Sequence, residues 1–329
     1  MKPMTPETIL NVSRGFMEAR VLLTAAELGV FAALSGEATT LDAAAARLNT
    51  CPRGTAVLLD ALSALGFLKK DAGKYWCPPD AAQYLSPDAP GSVLPLLIHS
   101  AGIWRRWSNL TEVVRGSAPQ EAPGSFEEPG QLAAFIGAMH VIGVRTAREV
   151  AAARSPLPGR KLLDVGGATG TYTEAFLEAN PQLEATLFDR GPVIELARKR
   201  LADSPLRDRI TLATGDFYAD ELPGGHDVVL LSAIIHQNSP EQNLALYQKC
   251  HRAMNSSGKI IIRDHVMSPD RTHPPSGAMF AVNMLVATPG GNTYTFEEIR
   301  DALAQAGFTD VRLIRSGELM DGLVEATKP

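Results

Sequence analysis

The sequence predicts an α/β protein: a doubly wound, mostly parallel sheet in its C-terminal half, preceded by a helical unit with the pattern of a winged helix. Two observations carry this expectation. From Leu162 onward, short apolar runs alternate with helical stretches, as parallel strands joined by crossover helices require. From residue 5 to residue 115 the apolar residues recur at three- and four-residue spacing instead, with few strand signals.

The first clear element is the alanine- and leucine-rich stretch Ala19–Leu34, whose single apolar face needs a partner surface. Thr40–Leu48 and Pro52–Leu65 then read as two helices joined by a short turn. Lys69–Cys77 places Asp71-Ala-Gly73 between apolar runs, the mark of a hairpin wing. A winged helix is often a DNA reader, so its charge decides. Between Glu37 and Ser86, Arg47, Arg53, Lys69, Lys70 and Lys74 are balanced by Glu37, Asp42, Asp60, Asp71 and Asp80. The helix in the recognition position offers Arg53 and Asp60 among alanines and leucines, a face for protein packing rather than for phosphates. Dimerisation is the expected use.

The whole chain agrees. Its 329 residues give room for two domains, and 45% are apolar, enough for substantial cores. Against 36 acidic residues stand 31 basic ones, a net charge of −5 that disfavours a general nucleic-acid partner. Cys51, Cys77 and Cys250 lack CxxC spacing, so neither a disulfide framework nor a zinc ribbon is expected. No leader pattern or membrane-length apolar run is visible, which reads as a soluble cytoplasmic protein with no membrane partner.

Residues 117–130 gather proline, glycine, serine and acids without periodicity, as a connecting loop would. A helix from Gln131 to about Arg154 follows. The expected division is a dimerisation unit at 1–116, a linker and bridging helix at 117–155, and a sheet domain at 156–329. Strands are expected at Leu162–Val165, Ala185–Phe188, Ile210–Leu212, Val228–Leu231 and Ile260–Ile262. Val311–Ile314 and Gly322–Glu325 would finish the sheet as an antiparallel pair.

Ligands of such sheets bind outside the carboxyl ends of the strands. Three carboxylates mark three successive ends: Asp164 in Asp164-Val-Gly-Gly-Ala-Thr-Gly170, then Asp189, then Asp216 in Gly215-Asp-Phe217. Glycines let the backbone approach a ligand closely, but the Lys-Ser/Thr pair of a phosphate-binding loop is absent. A phosphate-free cofactor carrying an ammonium and a sulfonium tolerates Asp164. It can also offer ribose hydroxyls to Asp189 and an adenine amino group to Asp216, with Phe217 against the ring. S-adenosylmethionine meets these requirements. Plainer readings stay open at this point: Asp189-Arg190-Gly191-Pro192 is also a good helix start, and Asp216 a good turn residue.

The fourth strand runs out through His236, and Ser239-Pro-Glu-Gln242 has capping-box spacing, so a helix begins just after the histidine and leaves it at the cleft rim. A neutral imidazole, pKa about 6.5, can accept a proton at cellular pH. A phenol, pKa about 10, is ionised to about one part in 10³ at pH 7, so a placed base matters for methylating one.

Taken as an ordered set, the Asp164–Gly170 loop, Asp189, Gly215-Asp-Phe217, His236 and Pro289-Gly-Gly291 resemble the small-molecule O-methyltransferases of the caffeate, hydroxyindole and polyketide type. The resemblance runs from Ser13 to the last strand. It implies a Rossmann-like class I methyltransferase domain, an N-terminal homodimerisation domain and S-adenosylmethionine as cofactor, with S-adenosylhomocysteine as its product. It further implies that Gly166, Gly167 and Gly170 line the methionine end beside Asp164, that Asp189 with Arg190 serves the ribose, and that Asp216 and Phe217 frame the adenine. Ser232 would lie beside the cofactor, His236 would be the general base, and Trp104, Trp107, Phe135, Met139, His140, Asn283 and Met284 would surround the acceptor.

The chain departs from that pattern in four places. Ala168 replaces a loop glycine, which is expected to be tolerable if its backbone stays in an ordinary region. Gln237-Asn238 stands where Asp-Trp is usual after the histidine. Asn292-Thr293 follows the glycines where many relatives carry a glutamate. Asp264 is then the acid left to steady an imidazolium. Glu298 is read as a helix cap in Thr295-Phe-Glu-Glu298. Asp264, His265 and His273 lack metal-ligand spacing, so no metal is expected. Two other readings stay open: a family member that uses the sulfonium without transferring its methyl, and a ligand-sensing regulator built on the winged helix. Product mass would test the first and DNA binding the second.

Overall fold

The computed structural model describes residues 4–87, 89, 91–117 and 131–329. Most of the predicted 117–130 loop therefore lies outside the described residues. The chain divides into two compact units, Met1–Arg105 and Arg106–Pro329.

In the first unit, a helix over Pro6–Arg14 is capped by Thr5, whose hydroxyl accepts from the Thr8 N–H at 3.2 Å. The predicted Ala19–Leu34 helix is broken. Phe16–Glu27 and Val30–Ala33 are separate helices because Gly29 sits at φ 72°, the left-handed conformation that ends a helix cheaply only at glycine. The break turns Val30, Phe31 and Leu34 inward onto Leu59, Leu62, Leu68 and Tyr75. Helices Leu41–Leu48 and Pro52–Ala64 follow, then the wing, Lys69–Asp71 against Lys74–Trp76. Its two turn residues, Ala72 and Gly73, both have positive φ, as a two-residue turn matched to strand twist demands. Thr39–Thr40 adds a third antiparallel strand. Asp60, on the would-be recognition helix, is occupied by the wing: Lys70 Nζ donates to it at 2.6 Å and the Tyr75 hydroxyl at 2.8 Å.

The second unit is built on a seven-stranded sheet, numbered here β1 (Lys161–Val165), β2 (Glu184–Asp189), β3 (Ile210–Thr214), β4 (His226–Ser232), β5 (Met254–Asp264), β6 (Thr309–Arg315) and β7 (Gly322–Thr327). The order across it is β6-β7-β5-β4-β1-β2-β3. The strands β1 to β5 are parallel, and β7 runs antiparallel to both β5 and β6. Successive side chains point to opposite faces, so each central strand feeds two cores. Leu163, Val165, Val229, Leu231, Ile260 and Ile262 pack towards helices Pro240–Ala253 and Phe296–Gln305. Leu162, Val228, Leu230 and Ile261 pack towards Gln131–Arg154, Thr171–Ala179 and Gly191–Arg200. A buried apolar run on both faces is what a parallel sheet requires.

Both predicted capping boxes form, Ser239 with Gln242 and Thr295 with Glu298. A short parallel pair, Val266–Met267 with Tyr294–Thr295, was not anticipated. Among the described residues no helix is long and apolar enough to cross a membrane.

The approach to β1 is pinned by Asn180, buried at the end of helix Thr171–Ala179. Its Oδ1 accepts from the Leu157 N–H at 2.8 Å, and its Nδ2 donates to Ser155 Oγ and the Phe176 carbonyl, each at 2.8 Å. Asn180→Ala should leave a buried N–H without a partner and cost about 1–3 kcal/mol, read as a lower midpoint in urea unfolding.

Candidate active site

The turn after β1 is crowded enough to require its glycines. Gly166 sits at φ 69° and donates its N–H to the Phe188 carbonyl at 2.8 Å; a Cβ there would lie 2.4 Å from Ile234 Cδ1. A Cβ on Gly167 would lie 2.8 Å from Asp164 Cγ, and one on Gly170, at φ 87°, 2.9 Å from Leu187 Cδ1. Ala168 corrects the expectation made for it: its φ is 51°, in the left-handed region, where an L side chain costs roughly 1–2 kcal/mol. That conformation aims the Ala168 N–H at Asp189 Oδ2, 2.9 Å away.

Asp189 ends β2. Its Oδ1 accepts from the Arg190 N–H at 2.7 Å, so this carboxylate holds both the glycine turn and the start of the helix that Arg190 caps. Burial pushes its pKa up, and these two backbone N–H groups oppose the shift. Arg190 itself is exposed. Asp164 is fully buried on β1. Its Oδ2 accepts from Thr173 Oγ1 at 2.6 Å, whereas Oδ1 has no partner. Burial raises its pKa to about 6; the Thr173 hydrogen bond works against this and the charge of Asp189 adds to it.

Beyond β3, Asp216 Oδ1 accepts from the Tyr218 N–H at 2.8 Å, so the turn reading of Asp216 holds as a structural fact. Phe217 packs against Tyr218 with ring centroids 4.5 Å apart. Lys249 Nζ closes the turn from below, donating to the carbonyls of Phe217, Tyr218 and Asp220 at 2.9, 3.0 and 2.7 Å. Tyr218 donates its hydroxyl to Asn238 Oδ1 at 2.5 Å. Asn238, one of the two departures after the histidine, is fully buried; its Nδ2 donates to Asn243 Oδ1 at 3.0 Å, and its carbonyl accepts from the Tyr294 hydroxyl. The asparagine thus ties the β3 turn to the β4 turn.

Ser232 ends β4 with its Oγ buried, facing the buried Tyr172 hydroxyl. Four residues on, His236 lies in a short 3₁₀ turn, 12% exposed at its side chain. Its Nδ1 is 2.9 Å and 3.0 Å from the two oxygens of Asp264, which is almost fully buried at the end of β5. Burial alone would raise the pKa of Asp264, but the charge and hydrogen bond of His236 and the His265 N–H hold it below the ordinary carboxylate value. Phe280 meets the His236 ring edge-on at 4.8 Å. The Pro289-Gly-Gly291 loop lies against this turn: a Cβ on Gly291 would be 2.5 Å from the His236 carbonyl, which accepts from the Asn292 N–H at 2.8 Å.

Of the expected acceptor residues, Trp107 and Asn283 are brought together, with the indole N–H donating to Asn283 Oδ1 at 2.9 Å. Met284 is buried beside them in sequence on helix Pro275–Ala287. Phe135, Met139 and His140 are partly buried on helix Gln131–Arg154. His140 Nδ1 is 2.7 Å from Thr171 Oγ1, at the start of the helix that leaves the glycine turn, and burial lowers its pKa. Trp104 belongs to the first unit, its ring 6.0 Å from that of Phe16. The sequence reading missed Tyr172, Lys249, Phe280 and Arg263. Arg263 alone carried a signal, a charged residue inside the run Ile260-Ile-Ile-Arg-Asp264.

Residues 130–309 match the O-methyltransferase domain family, and residues 10–86 match the O-methyltransferase dimerisation domain. The chain belongs to the O-methyltransferase family. It is 34% identical over 319 residues to the 3-hydroxy-5-methyl-1-naphthoate 3-O-methyltransferase of Streptomyces sahachiroi, covering 94% of this chain and 91% of that one. With the tetracenomycin polyketide synthesis 8-O-methyl transferase of Streptomyces glaucescens it shares 30% over 314 residues, 93% and 92% of the two chains. Human N-acetylserotonin methyltransferase, solved in complex with SAM, superposes with a TM-score of 0.81 at 25% identity over 100% and 99% of the chains. The activity that goes with this family is methyl transfer from S-adenosylmethionine. The O-methyltransferase site fits that cofactor physically: a glycine turn with no room for Cβ atoms, and an orphaned carboxylate oxygen, Asp164 Oδ1, with the buried Ser232 Oγ on the adjacent strand end.

Asp164 gives a test in the ligand-free protein. Its folded pKa of about 6 exceeds the unfolded value of about 3.9, so the native state binds the proton more tightly. The stability it contributes is complete below pH ~4 and is lost as pH rises through ~6. Urea unfolding should therefore show Asp164→Asn gaining on the parent by about 2 kcal/mol between pH 4.5 and 7.5; a pH-independent difference would contradict the assignment.

Proposed function

We propose that this O-methyltransferase methylates a hydroxyl of an aromatic or polyketide-like small molecule, with His236 as the general base. The observation that carries the reading is the pair His236–Asp264 at 2.9 and 3.0 Å on the cleft rim. An ionised Asp264 fixes the tautomer in which Nδ1–H donates to it, which leaves Nε2 as the proton acceptor. The same carboxylate stabilises the imidazolium that forms when the acceptor hydroxyl gives up its proton. Bound S-adenosylmethionine supplies the electrophilic methyl group. Relatives named for a naphthoate, a polyketide and N-acetylserotonin make aromatic hydroxyls the acceptor class to test.

The other residues position. Asp189 and Arg190 face the ribose, Asp216 and Phe217 hold the adenine, and Gly166, Gly167, Gly170, Asp164 and Ser232 receive the methionine end. Trp107, Asn283, Met284, Phe135, Met139 and His140 shape the acceptor side. Residues 156–329 carry catalysis; of 117–155, expected to join the units, helix Gln131–Arg154 packs on the sheet inside the second unit; and 1–116 form a cytoplasmic homodimer. Support for the last comes from the first helix, where Ile9, Leu10 and Val12 are exposed and no residue is buried.

His236→Ala should lower kcat by 10²–10⁴ while affinity for S-adenosylhomocysteine stays within a few-fold, measured by labelled methyl transfer to phenolic and polyketide acceptors and by calorimetry. Retained turnover would remove the histidine from the mechanism. Replacing both Ile9 and Val12 by Glu should shift sedimentation from dimer to monomer.

A further inference from the structure

Arg263 is a charged side chain placed inside the sheet on the face of Ile261, which it shares with Asp164 and Glu325. It is 4% exposed, and its register partners are Ser232 on β4 and Leu323 on β7. Its guanidinium stands 5.0 Å from the centre of the Tyr172 ring, and its Nε is buried with no acceptor. Among the described residues it makes no ion pair and no side-chain hydrogen bond. The carboxylates near it make their contacts elsewhere: Asp264 with His236, Asp164 through one oxygen with Thr173, and Asp321 with Arg315. A guanidinium stays charged at any pH a protein survives. Buried without an anion it is costly, and an arriving carboxylate would offset that cost through short charge-assisted hydrogen bonds.

Two more polar groups stand beside it. Ser232 Oγ is across the strand pair, and the Tyr172 hydroxyl belongs to the ring on which the guanidinium rests; both are buried, and they face one another. Tyr172 is the second residue of the helix that leaves Gly170, so these donors border the glycine turn. We infer that Arg263, with Ser232 and Tyr172, forms a carboxylate-binding subsite at the methionine end of the cleft. The inference rests on the cofactor reading. Two molecules of that reaction can present the anion: the amino-acid carboxylate of the cofactor, or a carboxylate carried by the acceptor.

Calorimetry with S-adenosylhomocysteine and with its decarboxylated counterpart, S-adenosyl-3-thiopropylamine, separates the cases. If the cofactor is the source, the parent enzyme prefers S-adenosylhomocysteine by at least tenfold. Arg263→Met then removes most of that preference by weakening S-adenosylhomocysteine alone, and Arg263→Lys restores part of it. If the acceptor is the source, Arg263→Met leaves both nucleosides unchanged but weakens 1-hydroxy-2-naphthoate relative to 1-naphthol. Equal weakening of every ligand, or no change in any, overturns the subsite. A parent enzyme that binds neither nucleoside overturns the cofactor reading instead. Because the first comparison needs only the parent enzyme, a poorly folded variant does not leave the question unanswered.

Discussion

The cleft depends on one constraint: β1 must turn into a helix while staying in contact with the end of β2. The Gly166 N–H reaches the Phe188 carbonyl, and the Ala168 N–H reaches the Asp189 carboxylate, across a gap that admits no side chain at 166, 167 or 170. Asp189 therefore does two jobs. It fixes the loop from outside and, through the Arg190 N–H, fixes the first turn of the next helix. Removing its charge would loosen the floor of the cleft as well as any contact to a ligand.

The parallel sheet was legible because its strands are short apolar runs buried on both faces, a pattern that survives without knowledge of tertiary contacts. The capping boxes at Ser239 and Thr295 were legible for a related reason, since the whole interaction lies within four residues. Ala168 was misjudged because its backbone conformation is imposed by Asp189, twenty-one residues away. The helix break at Gly29 was missed because alanine-rich flanks suit either a continuous helix or a bent one, and the core formed by Phe31 and Leu34 selects the bend. The candidate site was legible to the extent that strand ends announce themselves. The partners that decide each side chain's chemistry, such as Tyr172 beneath Arg263 or Phe280 beside His236, come from distant segments and left no local mark.

The departures around His236 look different once their contacts are known. Gln237 stands where the acid after the histidine is usual, and Asn238, in the tryptophan position, lies in the interior, where it accepts from Tyr218, donates to Asn243 and receives Tyr294. Loss of the usual glutamate after the glycines leaves Asn292 holding the histidine through the backbone, N–H to carbonyl. The electrostatic burden then falls on Asp264, and burial makes that single carboxylate effective: a charge pair in a low-dielectric site is worth far more than one in water.

The same reasoning explains why the sheet tolerates a row of polar side chains, Asp164, Ser232 and Arg263, on three neighbouring strands at the edge of an otherwise apolar core. Filled by Leu, Val and Leu, those positions would give a more stable protein, because buried polar groups without partners cost free energy. The row instead leaves an acid oxygen and a guanidinium nitrogen unsatisfied, which is hydrogen-bonding capacity held in reserve. A zwitterionic amino-acid group has the complementary charges, an ammonium for the acid and a carboxylate for the guanidinium.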